Sequence, residues 1–215
     1  MTPIGRILIG DEWYEPISSK SILESEYEES ILRYSSKLFP GYWCTRFNSL
    51  VNSDDGASKA DLVLIDHDYR GWTVVEAELE HHSLSQHVEP QMRRLVNGSY
   101  HEMHAEEISR NLMNVDPTRV SAMIRNVDPE FLVIVPRESS DWRATLSNLG
   151  VKLAIVQVLS DHRGRRIVSY SGDAPRQWSE GHLSNLRRDG VLPRAFRLEI
   201  PTAIPEVDSL KLTYQ

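Results

Sequence analysis

Residues 60–80, ADLVLIDHDYRGWTVVEAELE, decide how this chain reads. Two β-prone runs, Ala60 to Asp66 and Thr73 to Glu80, flank the polar, glycine-containing stretch His67 to Trp72, which reads as a hairpin loop. Side chains alternate along a strand, so Glu76, Glu78 and Glu80 project from one face and Val75, Ala77 and Leu79 from the other. Pairing Ala60, Leu62 and Leu64 with Leu79, Ala77 and Val75 makes one face wholly apolar. The other face then sets Asp61 opposite Glu78 and Val63 opposite Glu76. A slip of one residue would mix polar and apolar side chains on both faces, so the apolar pattern selects this register. It gathers Asp61, Glu76 and Glu78 at one end of a hairpin. Like charges packed this way are unfavourable unless solvent or a cation relieves them. A wet strand edge is the plain reading of these carboxylates. A hard divalent cation is the sharper one, because Mg²⁺ takes one or two carboxylates together with water and phosphate oxygens.

Upstream, Leu23, Tyr27, Ile31, Tyr34 and Leu38 recur at helical spacing and predict a helix from Ser18 to Phe39, stopped by Pro40-Gly41. Tyr42 to Val51 reads as a strand and Asn52 to Ser58 as a turn. Downstream, three helices are expected. The first has Pro90 in its first turn and ends at Asn97-Gly98. The second is capped by Ser99 with Glu102 and reaches about Met113. The third runs from Asp116-Pro117 to about Asn126. Phe131 to Pro136 and Val151 to Leu159 are apolar runs of the kind found in buried strands. They are joined by a helix from Asp141 to Leu149, with Gly150 as its cap. Arg165 to Tyr170 follows the turn at residues 161–164 as a further strand. The fold class is α/β (α+β): a mixed central sheet flanked by helices. Residues 1–171 form the core, and 172–215 a small C-terminal appendage holding one helix, about Arg176 to Arg188, and two short strands.

Composition bounds the function. The chain has 215 residues, 40% hydrophobic and 26% charged, which is ordinary for one soluble domain. No apolar run is long enough to span a membrane, and Met1 to Asp11 lacks the basic start and cleavage site of a secretory signal, so a cytoplasmic protein is expected. A single cysteine, Cys44, excludes an internal disulfide and any multi-cysteine zinc site. Phosphate loops and dinucleotide fingerprints do not occur. The formal charge of −7 is unevenly spread. Residues 1–107 carry 9 basic against 19 acidic side chains, and residues 108–215 carry 15 against 12, of which 13 are arginine. An acidic half beside an arginine-rich half suits a metal site next to a polyanion-holding surface, and equally suits ordinary solvated faces.

The order of acidic residues resembles the PD-(D/E)XK, restriction-endonuclease-like nuclease superfamily. Its pattern is an acidic residue on an N-terminal helix, an Asp beginning one strand, Glu-x-Lys on the next, and often a Gln on the following helix. Here the first helix supplies the acid, Asp61 begins DLVLID, Glu76-Ala77-Glu78 stands at the third motif, and Gln91 follows Pro90. Among the helix carboxylates, Glu24 stands three after Ser21 as in a capping box, and Glu29 has Arg33 four residues on as in a surface ion pair. Glu28 has no local partner and is chosen, with Glu24 second. Glu78 departs from the pattern, occupying the usual lysine position, and Ala60 replaces the usual proline.

The resemblance implies a divalent-metal-dependent endonuclease, a hydrolase of DNA phosphodiester bonds with RNA as an alternative substrate. It implies Mg²⁺ or Mn²⁺ held by Asp61, Glu76 and the carbonyl of Ala77. Glu78 would position the water, Glu28 would orient it, and Gln91 would contact substrate. A homodimer and a role in bacterial defence or repair are common among such proteins. The alternative is a catalytically degenerate relative that binds nucleic acid or a protein partner.

Histidines cluster at positions 81, 82, 87, 101 and 104. His101 and His104 miss the metalloprotease spacing by one residue and read as a solvated helix face. His82 and His87 lie between the acidic strand and Gln91, where they could touch phosphate or relay protons. Together the histidines also allow a metal-binding protein without nuclease chemistry. Arg93-Arg94, like Arg163, Arg165 and Arg166, suits phosphate contact and helix solubilisation equally.

Overall fold

The computed structural model describes residues 5–79, 81–138 and 140–176. Glu80, the third acid of the alternating strand, lies outside these residues, as do the expected C-terminal helix and two short strands. The architecture is mixed α/β: a large eight-stranded mixed sheet flanked by five helices. Its strands are β1 (Ile7–Ile9), β2 (Glu12–Pro16), β3 (Tyr42–Arg46), β6 (Leu62–Asp66), β7 (Trp72–Ala77), β8 (Glu130–Val135), β9 (Lys152–Ser160) and β10 (Arg166–Gly172). Two further strands, β4 (Val51–Ser53) and β5 (Gly56–Ser58), form a separate hairpin where a plain turn is expected from the sequence. The sheet runs β1-β2-β9-β8-β7-β6-β3, with β10 on β9. β3, β6 and β7 are antiparallel neighbours, whereas β7–β8 and β8–β9 pair parallel.

The apolar runs explain this sheet. β6 and β7 are buried at every position, because both sheet faces are covered. One face, carrying Leu62, Leu64, Val75, Ala77, Leu132 and Ile134, packs on Tyr27 and Ile31 of α1 (Glu24–Leu38). The other face, carrying Val63, Ile65, Val74 and Val133, packs under four helices. These are α2 (Glu89–Val96), α3 (Glu102–Asn111), α4 (Pro117–Asn126) and α5 (Ser140–Asn148).

Three details differ from the sequence reading. The β6–β7 register pairs Leu62 with Val75 and Leu64 with Thr73, two residues away from the expected one. A shift of two keeps every side chain on its expected face, so the apolar pattern could not tell the two registers apart. The turn decides between them: the Asp66 N–H donates to the Gly71 carbonyl at 3.0 Å, so Trp72 is strand and the loop is shorter. Secondly, α1 begins at Glu24 instead of Ser18, and the Leu23 N–H is capped by Glu26 at 3.2 Å, not through Ser21 and Glu24. Thirdly, Ser99 does not cap α3. Its N–H donates to the Asn52 carbonyl at 2.9 Å, and the His101 N–H is capped by Nδ1 of His104 at 2.8 Å. His104 is therefore buried, its other ring nitrogen 3.2 Å from the Leu50 carbonyl, and is no solvated face. Among the described residues no helix is long and apolar enough to cross a membrane.

α1 is fastened to the sheet by a buried bond in which the Tyr27 hydroxyl donates to the Val156 carbonyl at 2.8 Å. Tyr27→Phe leaves that carbonyl without its donor. It should lower the urea midpoint by the equivalent of about 1–2 kcal/mol with an unchanged slope.

Candidate metal centre

Burial of charge marks the site. Glu76 is 2% exposed and Glu78 is fully buried, which overturns the wet-edge reading of these carboxylates. β7 is a central strand, with β6 on one side and β8 on the other, and both acids stand at its carboxyl end. In open α/β sheets that end of the strands is where ligands gather.

The observed register brings Asp61 opposite Glu76, not Glu78, when continued one step past Leu62 and Val75. The backbone holds Asp61 from two sides. Its side chain accepts from the Ala77 N–H at 2.8 Å, and its carbonyl accepts from the Phe47 N–H at 2.9 Å. Ala77, expected to contribute a carbonyl, donates its N–H to the side chain of Asp61. Glu76 accepts through Oε1 from the amide of Gln91, which also donates to the Lys59 carbonyl at 3.0 Å. Glu76 Oε2 is buried and makes no hydrogen bond. Gln91 therefore meets the candidate carboxylate Glu76 itself.

α1 delivers its acids from the opposite side of the sheet. Carboxylate oxygens of Glu24, Glu28 and Asp61 lie within 4.8 Å of one another. Both helix candidates are present, since Glu26 has taken over the cap and left Glu24 free. Arg46 at the end of β3 is the basic residue that sequence reading misses. Its guanidinium donates to Glu28 at 2.8 Å and to Glu29 at 3.1 Å, so Glu29 does not rely on Arg33. The pairing of β3 with β6, Arg46 opposite Leu62, is the signal that would have found it.

Histidines close the third side. Glu78 Oε2 is hydrogen-bonded to Nδ1 of His82, and Oε1 lies 3.4 Å from Nε2 of His87. Glu24 Oε2 lies 3.5 Å from the same His82 nitrogen. His87 sits in a single π-helical turn, Leu84–Val88, that starts at Ser83, whose hydroxyl accepts from the Gln86 N–H at 3.3 Å. That turn runs straight into α2, so His87 and Gln91, four residues apart, share a face directed at the carboxylates. Arg93 and Arg94 are occupied elsewhere: Arg93 pairs with Glu89 at 2.8 Å, and Arg94 donates to the Asp55 carbonyl at 3.2 Å. Likewise Arg163 and Arg165 are tied to Glu12, and Arg165 also to Asp161.

The carboxyl groups resist ionisation. Burial, then the charges of Glu28, Glu24 and Glu78, push Asp61 from its ordinary value up to about 7, against the pull of the Ala77 N–H. Burial and the neighbouring charges of Asp61 and Glu78 hold Glu76 well above the usual range. Glu78 is raised by burial and partly restored by His82. Carboxylates this close share protons or a cation. Two features suit a hard cation: a buried Glu76 oxygen without a hydrogen bond, and carboxylate oxygens of Asp61, Glu24 and Glu28 gathered within 4.8 Å of one another.

Comparison of the chain with protein-family models, with curated proteins and with solved structures yields no match.

Raised carboxyl pKa values set the sign of a pH dependence. Between about pH 4 and pH 7 the folded chain holds protons that the unfolded chain releases, so stability falls as pH rises through that window. The metal-free protein should melt at a higher temperature at pH 5 than at pH 8. Millimolar Mg²⁺ or Mn²⁺ should recover the loss at pH 8 and do little at pH 5. Asp61→Asn, which keeps an acceptor for the Ala77 N–H, should gain about 1–3 kcal/mol at pH 8 relative to its effect at pH 5. Calorimetry at the two pH values checks both statements.

Proposed function

We propose that this protein is a Mg²⁺- or Mn²⁺-dependent nuclease that hydrolyses phosphodiester bonds in DNA. The observation that carries the reading is the meeting of half-buried Asp61, just before β6, with buried Glu76 near the end of β7, one Glu76 oxygen being left without a hydrogen bond. The four elements of the resemblance also stand together: acids on α1, Asp61 before β6, Glu76 and Glu78 at the end of β7, and Gln91 on α2.

Asp61 and Glu76 would hold the ion, and the Ala77 N–H and the Gln91 amide fix the direction of their lone pairs. Bound there, a divalent cation lowers the pKa of water and offsets charge developing on phosphate. Glu24 and Glu28 are placed to orient water at the edge of the group. Glu78, in the position of the usual lysine, is linked to His82 and would position the attacking water. A homodimer with two such sites could cut both strands of a duplex.

The same substitution of Glu78 for lysine favours a second reading, a nuclease-fold protein that binds nucleic acid or a partner protein without cutting. Supercoiled plasmid and single-stranded RNA, each incubated with Mg²⁺ or Mn²⁺, separate the two. Nicking is expected, and Asp61→Ala and Glu76→Ala should each reduce it at least about a hundredfold. Retention of nucleic acid without cleavage under either ion would leave only the binder.

A further inference from the structure

We propose that Glu78, His82 and His87 form a second cation site, one for a borderline transition-metal ion of the zinc class. The site is separate from the oxygen-only group of Asp61 and Glu76. Ligand atoms of the three residues lie within 4.8 Å of one another. Two are imidazole nitrogens and one a carboxylate, a set suited to Zn²⁺ or Co²⁺ and poorly suited to Mg²⁺.

Two observations point to an ion here and not merely to a hydrogen-bonded cluster. Glu78 is fully buried, yet its Oε1 makes no hydrogen bond. Leaving a buried carboxylate oxygen bare is costly unless something positive meets it. Secondly, Nε2 of His87 lies 3.4 Å from that oxygen without forming a hydrogen bond to it. Two ligands of one tetrahedral zinc, each bonded at about 2.0–2.1 Å, stand about 3.3 Å apart. The gap is long for a direct bond and fits neighbours around a shared ion. On the other oxygen, the His82–Glu78 hydrogen bond is held by a proton that an ion would replace.

The local backbone supports the arrangement. Glu78 is fixed by its N–H donating to the Ile134 carbonyl at 2.9 Å. The π-helical turn that carries His87 is a rare conformation, frequent at functional sites. His87 is 56% exposed, which gives an ion a route in from solvent. Three protein ligands leave a fourth position for water, the pattern of zinc sites that do chemistry.

Cobalt, a spectroscopic substitute for zinc, tests the assignment without reference to cleavage. Full-length protein stripped with EDTA and titrated with Co²⁺ should bind one equivalent with the intense visible bands of four-coordinate cobalt, bleached by Zn²⁺. His87→Ala changes an exposed side chain and should keep the native circular dichroism while weakening Co²⁺ at least about tenfold. Asp61→Asn should bind Co²⁺ as the natural chain does. The proposal is overturned if no such spectrum develops, or if His82→Ala and His87→Ala bind cobalt unchanged. It is equally overturned if Asp61→Asn loses the ion as fully as His87→Ala. Cobalt binding at this site in a protein that never cleaves nucleic acid would remove the nuclease reading and leave this one standing.

Discussion

Two carboxylates buried at the end of a central strand are the constraint around which this molecule is arranged. A chain of this size gains its stability from apolar burial, and here both sheet faces are covered, one by α1 and the other by α2 to α5. Placing Glu76 and Glu78 inside that enclosure runs against the dominant driving force. Each neighbouring element answers part of the cost. α2 supplies the Gln91 amide to Glu76, and the π-helical turn and the residues before it supply two imidazoles to Glu78, whereas Asp61, locked by the Ala77 N–H just before β6, adds to the charge. Two carboxylate oxygens still remain without hydrogen bonds. Buried carboxylate oxygens left bare in this way call for a partner, and a bound ion is one.

The elements that bear on the site come from both layers, and their fastening is what makes the geometry possible. α1 lies on the face opposite α2, yet Glu24 and Glu28 at its start reach the group past the end of the sheet. The Tyr27 bond to Val156 sets the height of that helix on the strands. Transfer of the cap to Glu26 leaves Glu24 free to approach His82. On the other layer, a regular α-helical entry to α2 would direct His87 differently. The wider π-helical turn and the Ser83 cap bring it to face Glu78.

How much of this the sequence discloses depends on the kind of information each feature needs. Alternation in VVEAEL is local, and it correctly assigns Val75 and Ala77 to one core and the glutamates to the opposite side. Register is only half local: alternation has period two, so it fixes parity, and the turn closed by Asp66 and Gly71 fixes the rest. That is why alternation makes Asp61 legible as a partner of the acidic strand but matches it to Glu78 instead of Glu76. α4, with Asp116 and Pro117 as explicit start signals, is read with its observed bounds. By contrast, β1 and β2 carry mixed, half-exposed side chains and owe their state to pairing with each other and with distant β9. Arg46 lies beside Glu28 only because β3 pairs with β6, and no local spacing announces that.

Charge placement, not net charge, is the quantity that matters. Glu24, Glu28, Asp61, Glu76 and Glu78 bring five formal negative charges into one neighbourhood. Arg46 is the cation that meets them, and it divides itself between Glu28 and the more exposed Glu29. Five carboxyl groups against one guanidinium leave a formal excess of four. In water alone, protons must make up the difference, and that is the physical content of an Asp61 raised to about 7 and a Glu76 held higher than its ordinary range. One divalent ion at Asp61 and Glu76, as proposed, would halve the excess; a second, on Glu78 and its histidines, would remove it. The two ligand sets differ in kind, oxygen alone on one side and mixed nitrogen and oxygen on the other. The same electrostatic demand can therefore be met by two different metals, side by side, with Glu24 reaching toward both.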